Sequence, residues 1–184
     1  LIYAETGSSS EAMSKIVLPA DSKYVASAFW GAIGFTLPAV FGSMLANPYR
    51  RHILFIGDGS FQVTAQELSR ILYREQNPII FLINNDGYTI ERYIMGMYKD
   101  YNEIPSWNYH KLPELLIANN KMKTFSVKTQ GELAQALEEA ENITHGILIE
   151  VHLGKTDAPE SLEKNGPNIA KFNFGPRGPE NEKP

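Results

Sequence analysis

Two short polar stretches, each following an apolar run, carry the residues best suited to chemistry. The first is Gly57-Asp58-Gly59-Ser60, after HILFI; the second is Asn84-Asn85-Asp86-Gly87, after IIFLI. Glycines on either side of Asp58 permit tight turning and close backbone approach. A helix opened by Ser60 and the amides of residues 60–62 would welcome phosphate at its N-terminus. Asp58 would then lie beside phosphate, which is repulsive unless a cation stands between them. A divalent cation with hard oxygen ligands suits that place, and Mg²⁺ fits best. Asn85 offers a neutral amide oxygen, and a loop carbonyl near Gly87 another, leaving room for two diphosphate oxygens and a water. Taken singly, GDG and NNDG are also ordinary turn sequences. Their occurrence at two successive strand ends points to a site.

The elements that must position these stretches follow from hydrophobic patterning. LIYAE (1–5), YVASA (24–28), HILFIG (52–57), IIFLIN (79–84), KTFSVK (123–128) and GILIEVHL (146–153) read as short strands. Several are apolar almost throughout, as in strands covered on both faces. Helices are expected near 36–47, 62–74, 110–119 and 130–142. Thr36 is placed to cap the first, with Pro38 in its first turn. This alternation predicts an α/β fold: a three-layer, doubly wound, mostly parallel sheet of about six strands. Ligands bind such sheets beyond the carboxyl ends of the strands, here after residues 5, 28, 57 and 84. The expected organisation is one domain over 1–164 and a Gly/Pro-rich C-terminal tail over 165–184, with no long helix across 175–184.

Bulk composition narrows the classes. The 184 residues are 43% hydrophobic and 21% charged, with a net charge of −4 and no cysteine. No dense Lys/Arg stripe supports nucleic acid as a partner. The absence of cysteine excludes disulfides and fits a reducing, cytoplasmic setting. The most apolar segment, 32–46, is too short for a membrane span and contains Gly34, Pro38 and Gly42. The chain starts at Leu1 rather than Met, which suggests a piece of a longer protein.

Gly57-Asp58-Gly59 followed, after residues 60–83, by Asn84-Asn85 resembles the thiamine-diphosphate signature. NNDGYTIER (84–92) looks like the pyruvate decarboxylase group, with its indolepyruvate and phenylpyruvate relatives. AETG (4–7), SAFWGAIGFTLPA (27–39) and YNEIPSWNYHKLP (101–113) strengthen the likeness, which covers roughly residues 1–160. The resemblance implies a thiamine-diphosphate-binding fold and decarboxylation of a 2-oxo acid to an aldehyde and CO₂. It implies that Asp58, Asn85 and the Gly87 carbonyl hold Mg²⁺, and that Gly59 and Ser60 line the diphosphate. Gly31 would offer its carbonyl to the aminopyrimidine, Ile33 would bend the cofactor, and Thr6 would lie beside its rings. Glu91 would act in proton transfer, and Ile90 would line the substrate space.

Relatives carry a pyrimidine-binding domain, of the same or a neighbouring subunit, that supplies the rest of the site. The chain would therefore be the diphosphate half of a homodimeric or homotetrameric enzyme, inactive alone. A separate diphosphate-binding subunit of a two-chain enzyme, or a non-catalytic binding or assembly domain, are the other readings. Neither a P-loop nor a full dinucleotide-binding glycine motif is present. Bland roles are expected elsewhere: His52 at the surface, His110, His145 and His152 away from metals, Trp30 and Trp107 in packing. Glu138, Glu139 and Glu141 read as the solvated face of a helix.

Overall fold

The structure, a computed structural model, describes residues 1–177. Six strands form one sheet: β1 (Ile2–Ala4), β2 (Tyr24–Val25), β3 (Ile53–Gly57), β4 (Ile79–Asn84), β5 (Lys123–Val127) and β6 (Ile147–His152). Their spatial order is β2-β1-β3-β4-β6-β5, and every pairing is parallel. Parallel neighbours cannot be joined by hairpins, so the chain crosses over through helices. These are α1 (Ser8–Met13), α2 (Thr36–Ala46), α3 (Asp58–Val63), α4 (Leu68–Tyr73), α5 (Thr89–Met95), α6 (Leu112–Leu116) and α7 (Gln130–Glu141). A further helix, α8 (Glu160–Phe174), follows β6.

Alternate strand residues face opposite sides, and the two sides carry separate cores. Leu54, Ile56, Ile80, Leu82 and Leu148 pack under Leu37, Val40 and Met44 of α2 and Leu68, Ile71 and Leu72 of α4. Ile147 and Ile149 pack with Ala136 and Ala140 of α7, joined by the partly buried Ile79 and Phe81. Helices thus cover both faces, giving the three layers expected. Each fully buried Leu or Ile contributes on the order of 2 kcal/mol of apolar burial, which fixes the strand register and hence the loops at the strand ends.

Several local expectations are corrected. Thr36 is the first helical residue, not the cap. Its N–H and hydroxyl donate to Glu5 Oε2 at 3.0 and 2.8 Å, so a buried carboxylate from the end of β1 caps α2. The 62–74 segment is split: α3 already opens at Asp58, so Ser60 lies within the first turn rather than at its start. Helices α1, α5 and α8 were not expected.

Residues 165–174, expected as tail, continue α8 although Pro167 lies inside it. The physical reason is contact. A Cβ on Gly166 would lie 2.8 Å from Tyr93 Cβ and 2.9 Å from its carbonyl, so the glycine allows α8 to rest on α5. Leu162, fully buried, anchors the same helix. Residues 178–184 of the expected tail lie outside the described residues.

His52 is buried, not at the surface. Its ring stacks on Tyr3, and its two nitrogens pair with Ser43 Oγ at 3.0 Å and the Arg50 carbonyl at 2.8 Å. Trp30, expected to pack, is 91% exposed. Among the described residues no helix is long and apolar enough to cross a membrane.

Candidate functional site

The carboxyl ends of β1, β3 and β4 converge on one cleft of about 340 Å³. Its walls come from the loop after β1 (Thr6, Gly7), the segment before α2 (Gly31, Ile33), the β3–α3 turn (Gly57 to Ser60) and the β4–α5 loop (Asn85, Gly87) running into α5 (Ile90, Glu91). Every residue singled out by the sequence for a site lines this cleft: Thr6, Gly31, Ile33, Asp58, Gly59, Ser60, Asn85, Gly87, Ile90 and Glu91.

Asp58 is the first residue of α3 and is 1% exposed. Its Oδ1 accepts the Gly59 N–H at 2.7 Å, and its Oδ2 accepts the Gly87 N–H at 3.1 Å. Burial pushes its carboxyl up to about 6 against the pull of those amides, and the nearby Asp86 charge adds to the rise. A carboxylate in that condition has been taken out of water with only neutral dipoles in return, and a cation would restore the balance.

Gly59 is bare for a packing reason. A Cβ there would lie 2.4 Å from the Tyr88 ring, so the glycine lets Tyr88 fold over the turn. Gly87 has φ +129°, and a Cβ would meet the Asn102 carbonyl at 2.0 Å. Its neighbour Asp86 is also left-handed, at φ 53°. Two successive positive φ values turn the backbone sharply, so that the Gly87 N–H reaches Asp58.

The adjacent asparagines divide their tasks. The Asn84 amide donates to Glu150 Oε1 at 2.7 Å, away from the cleft. Asn85, 4% exposed, is left to line the cleft. Glu91 sits in the first turn of α5, half-buried, and burial raises its carboxyl pKa. Tyr101 closes the same side; burial and the Glu91 charge raise its phenol.

The model of the family described as "Thiamine pyrophosphate enzyme, C-terminal TPP binding domain" matches residues 5–151. The chain belongs to this family. A protein named pyruvate decarboxylase from Aspergillus terreus is 37% identical over 178 residues, 94% of this chain and 31% of that protein. One named alpha-keto-acid decarboxylase from Mycobacterium tuberculosis (strain H37Rv) is 39% identical over 163 residues, 88% of this chain and 29% of that protein. A pyruvate decarboxylase from Aspergillus parasiticus is 39% identical, covering 88% of this chain and 31% of that protein. The chain spans about a third of the length of the curated relatives it matches.

Within this thiamine pyrophosphate enzyme domain, the donor set at the cleft suits a hard cation. It comprises one carboxylate, one amide oxygen and a loop carbonyl, with no convergence of three His, Asp or Glu side chains among the described residues. Mg²⁺ commonly takes one or two carboxylates and completes its shell with phosphate oxygens and water.

Sequence reasoning missed two buried charges that shape this cleft. Glu5, fully buried, accepts the Thr6 N–H at 3.1 Å as well as both Thr36 donors. Thr6 in turn donates from its hydroxyl to the Ala32 carbonyl at 3.0 Å, so two loops of the cleft are tied together. The strand-end position that drew attention to Asp58 would have identified Glu5 as well. Arg92, 2% exposed, follows Glu91 directly; one charge on an amphipathic helix gives no such signal.

Proposed function

We propose that this chain is the diphosphate-binding part of a thiamine-diphosphate- and Mg²⁺-dependent, non-oxidative 2-oxo acid decarboxylase. The observation that carries the reading is Asp58: a carboxylate 1% exposed, held by backbone amides and raised to about 6, at the end of a cleft lined by Asn85 and Gly87. Asp58, the Asn85 amide oxygen and the Gly87 carbonyl would hold Mg²⁺. Gly59 and Ser60 would line the diphosphate at the opening of α3, where the Gly59 N–H also donates to Asp58 Oδ1. Gly31, at φ +57° beside Thr6, would offer its carbonyl to the aminopyrimidine. Ile33, 38% exposed at the cleft, would support the bend of the cofactor.

Bound there, thiamine diphosphate supplies the electron sink that decarboxylation of a 2-oxo acid requires. The chain's own residues orient it, keep water out and move a proton. Glu91, half-buried with its carboxyl pKa raised by burial, is suited to proton transfer at the reacting carbon. Ile90 would line the space for the substrate side chain. Phe29 and Trp30, 96% and 91% exposed beside Gly31, are suited to burial against the pyrimidine-binding domain, of the same or another subunit of a homo-oligomer.

Calorimetric titration of the full-length parent with thiamine diphosphate tests the reading. Heat that requires Mg²⁺, together with aldehyde release from 2-oxo acids, is the expected result. Cofactor binding indifferent to Mg²⁺ and to Asp58→Ala would overturn it.

A further inference from the structure

Arg92 is a buried cation that donates no hydrogen bond to the groups assigned to the cofactor, yet it organises the segments that carry them. Its Nη2 donates to the Asp86 carbonyl at 2.9 Å, the Asn102 carbonyl at 3.5 Å and Glu103 Oε1 at 3.0 Å. Its Nη1 donates to Thr89 Oγ1 at 3.2 Å and the Lys155 carbonyl at 3.3 Å. The Asp86 carbonyl belongs to the peptide that enters Gly87, in the stretch where two successive residues hold positive φ. A backbone in that region costs energy and persists only when its surroundings over-determine it.

The anchors are identifiable. Gly87 N–H is held by Asp58, Tyr88 N–H donates to the Asn102 carbonyl at 2.9 Å, and Arg92 grips both the Asp86 and Asn102 carbonyls. Without the guanidinium the Asp86 carbonyl would lose its partner, whereas the Asn102 carbonyl keeps the Tyr88 N–H and the Lys155 carbonyl keeps the Thr89 hydroxyl. Glu103 completes the arrangement by pairing with Lys155 as well as Arg92.

We infer that Arg92 is a positioning residue for metal binding: by pinning the Asp86 carbonyl to Asn102, Glu103 and Lys155, it fixes the turn at the cleft that carries the Gly87 carbonyl, which here accepts the Thr89 N–H at 3.1 Å. The inference rests on the proposed Mg²⁺ role of that carbonyl. Only a planar fork of several donors serves this geometry. Lysine keeps the charge but cannot span the Asp86 and Lys155 carbonyls together.

The test uses the full-length parent at saturating thiamine diphosphate, with Mg²⁺ titrated calorimetrically and thermal melting of the metal-free protein in parallel. Arg92→Met is expected to weaken Mg²⁺ binding by about tenfold or more, as losses of outer-shell partners do. Arg92→Lys is expected to restore melting to near the wild-type temperature while leaving Mg²⁺ binding weakened. A purely structural role would move both readouts together. If Arg92→Met does not fold, Arg92→Lys decides: Mg²⁺ affinity equal to wild type overturns the inference while leaving the proposed function standing. Absence of Mg²⁺-dependent binding in the wild type overturns both.

Discussion

Two carboxylates lie at the same end of the sheet, each 1% exposed, and their surroundings push them in opposite directions. Asp58, after β3, receives only backbone amides and is raised to about 6. Glu150, on β6, meets a complete set of partners. The His110 ring pairs with Oε2 at 2.5 Å, the His110 N–H donates to the same oxygen at 3.1 Å, and Asn84 donates to Oε1. Burial alone would raise Glu150, but the His110 and Asn84 hydrogen bonds outweigh it, aided by the His152 charge, and hold it below the usual carboxylate range. Equal burial therefore does not make equal sites. Glu150 closes an internal network, whereas Asp58 leaves a charge for something outside the chain to satisfy. The neighbouring Asn84 and Asn85 sit on the boundary: Asn84 donates to Glu150, and Asn85 lines the cleft with Asp58.

Removing Asp58 should break this contrast most severely. In the full-length parent, Asp58→Ala is expected to weaken metal-dependent cofactor binding by roughly 100-fold or more, beyond the ordinary cost of one outer-shell partner. Calorimetry reads the affinity, and circular dichroism shows that the fold persists. An affinity within a few-fold of wild type would remove Asp58 from the metal site.

The next effect is on pH dependence, where the two carboxylates should act with opposite signs. For Asp58 the ordinary value is 3.8 and the folded value about 6. Its raised pKa means that its stabilising contribution is present below 3.8 and lost as pH rises through about 6. The gap corresponds to roughly 3 kcal/mol. Metal-free wild type should therefore lose stability relative to Asp58→Asn over that interval, measured by urea unfolding at a series of pH values. For Glu150 the depressed pKa means stability held above the ordinary 4.5 and lost as pH falls below it.

At constant neutral pH, Glu150→Gln should destabilise the protein by ~2 kcal/mol, because charge-assisted bonds from His110 are replaced by neutral ones. The smallest effect sharpens the distinction: the same variant should leave Mg²⁺ and cofactor affinity within about threefold of wild type, a change under 1 kcal/mol. A larger loss would show that the Glu150 network reaches the cleft through Asn84.

Much of the site was readable because its chemistry sits at strand ends. Apolar runs stopped at Gly57 and Asn84, and in a parallel sheet the ends of neighbouring strands must lie together. What failed to show were features whose meaning depends on distant contact. Gly166 and Pro167 read as helix breakers, yet Gly166 is where α8 meets Tyr93. His52 followed two arginines and read as surface, yet it stacks on Tyr3 from another strand. Helices α1 and α5 are too short for periodicity to reveal.

By itself, the sequence determined the layered parallel sheet, the family and the identity of the residues at the cleft, because strand hydrophobicity and strand-end polarity are local properties. Only the tertiary structure decided what each charge does. It placed Glu5 as the cap of α2, Arg92 as the clamp on the Asp86 carbonyl, and Glu150 as a carboxylate paired with His110 and Asn84 where Asp58 is held by backbone N–H groups. The reason is physical: the state of a buried charge is set by burial and by partners far away in sequence.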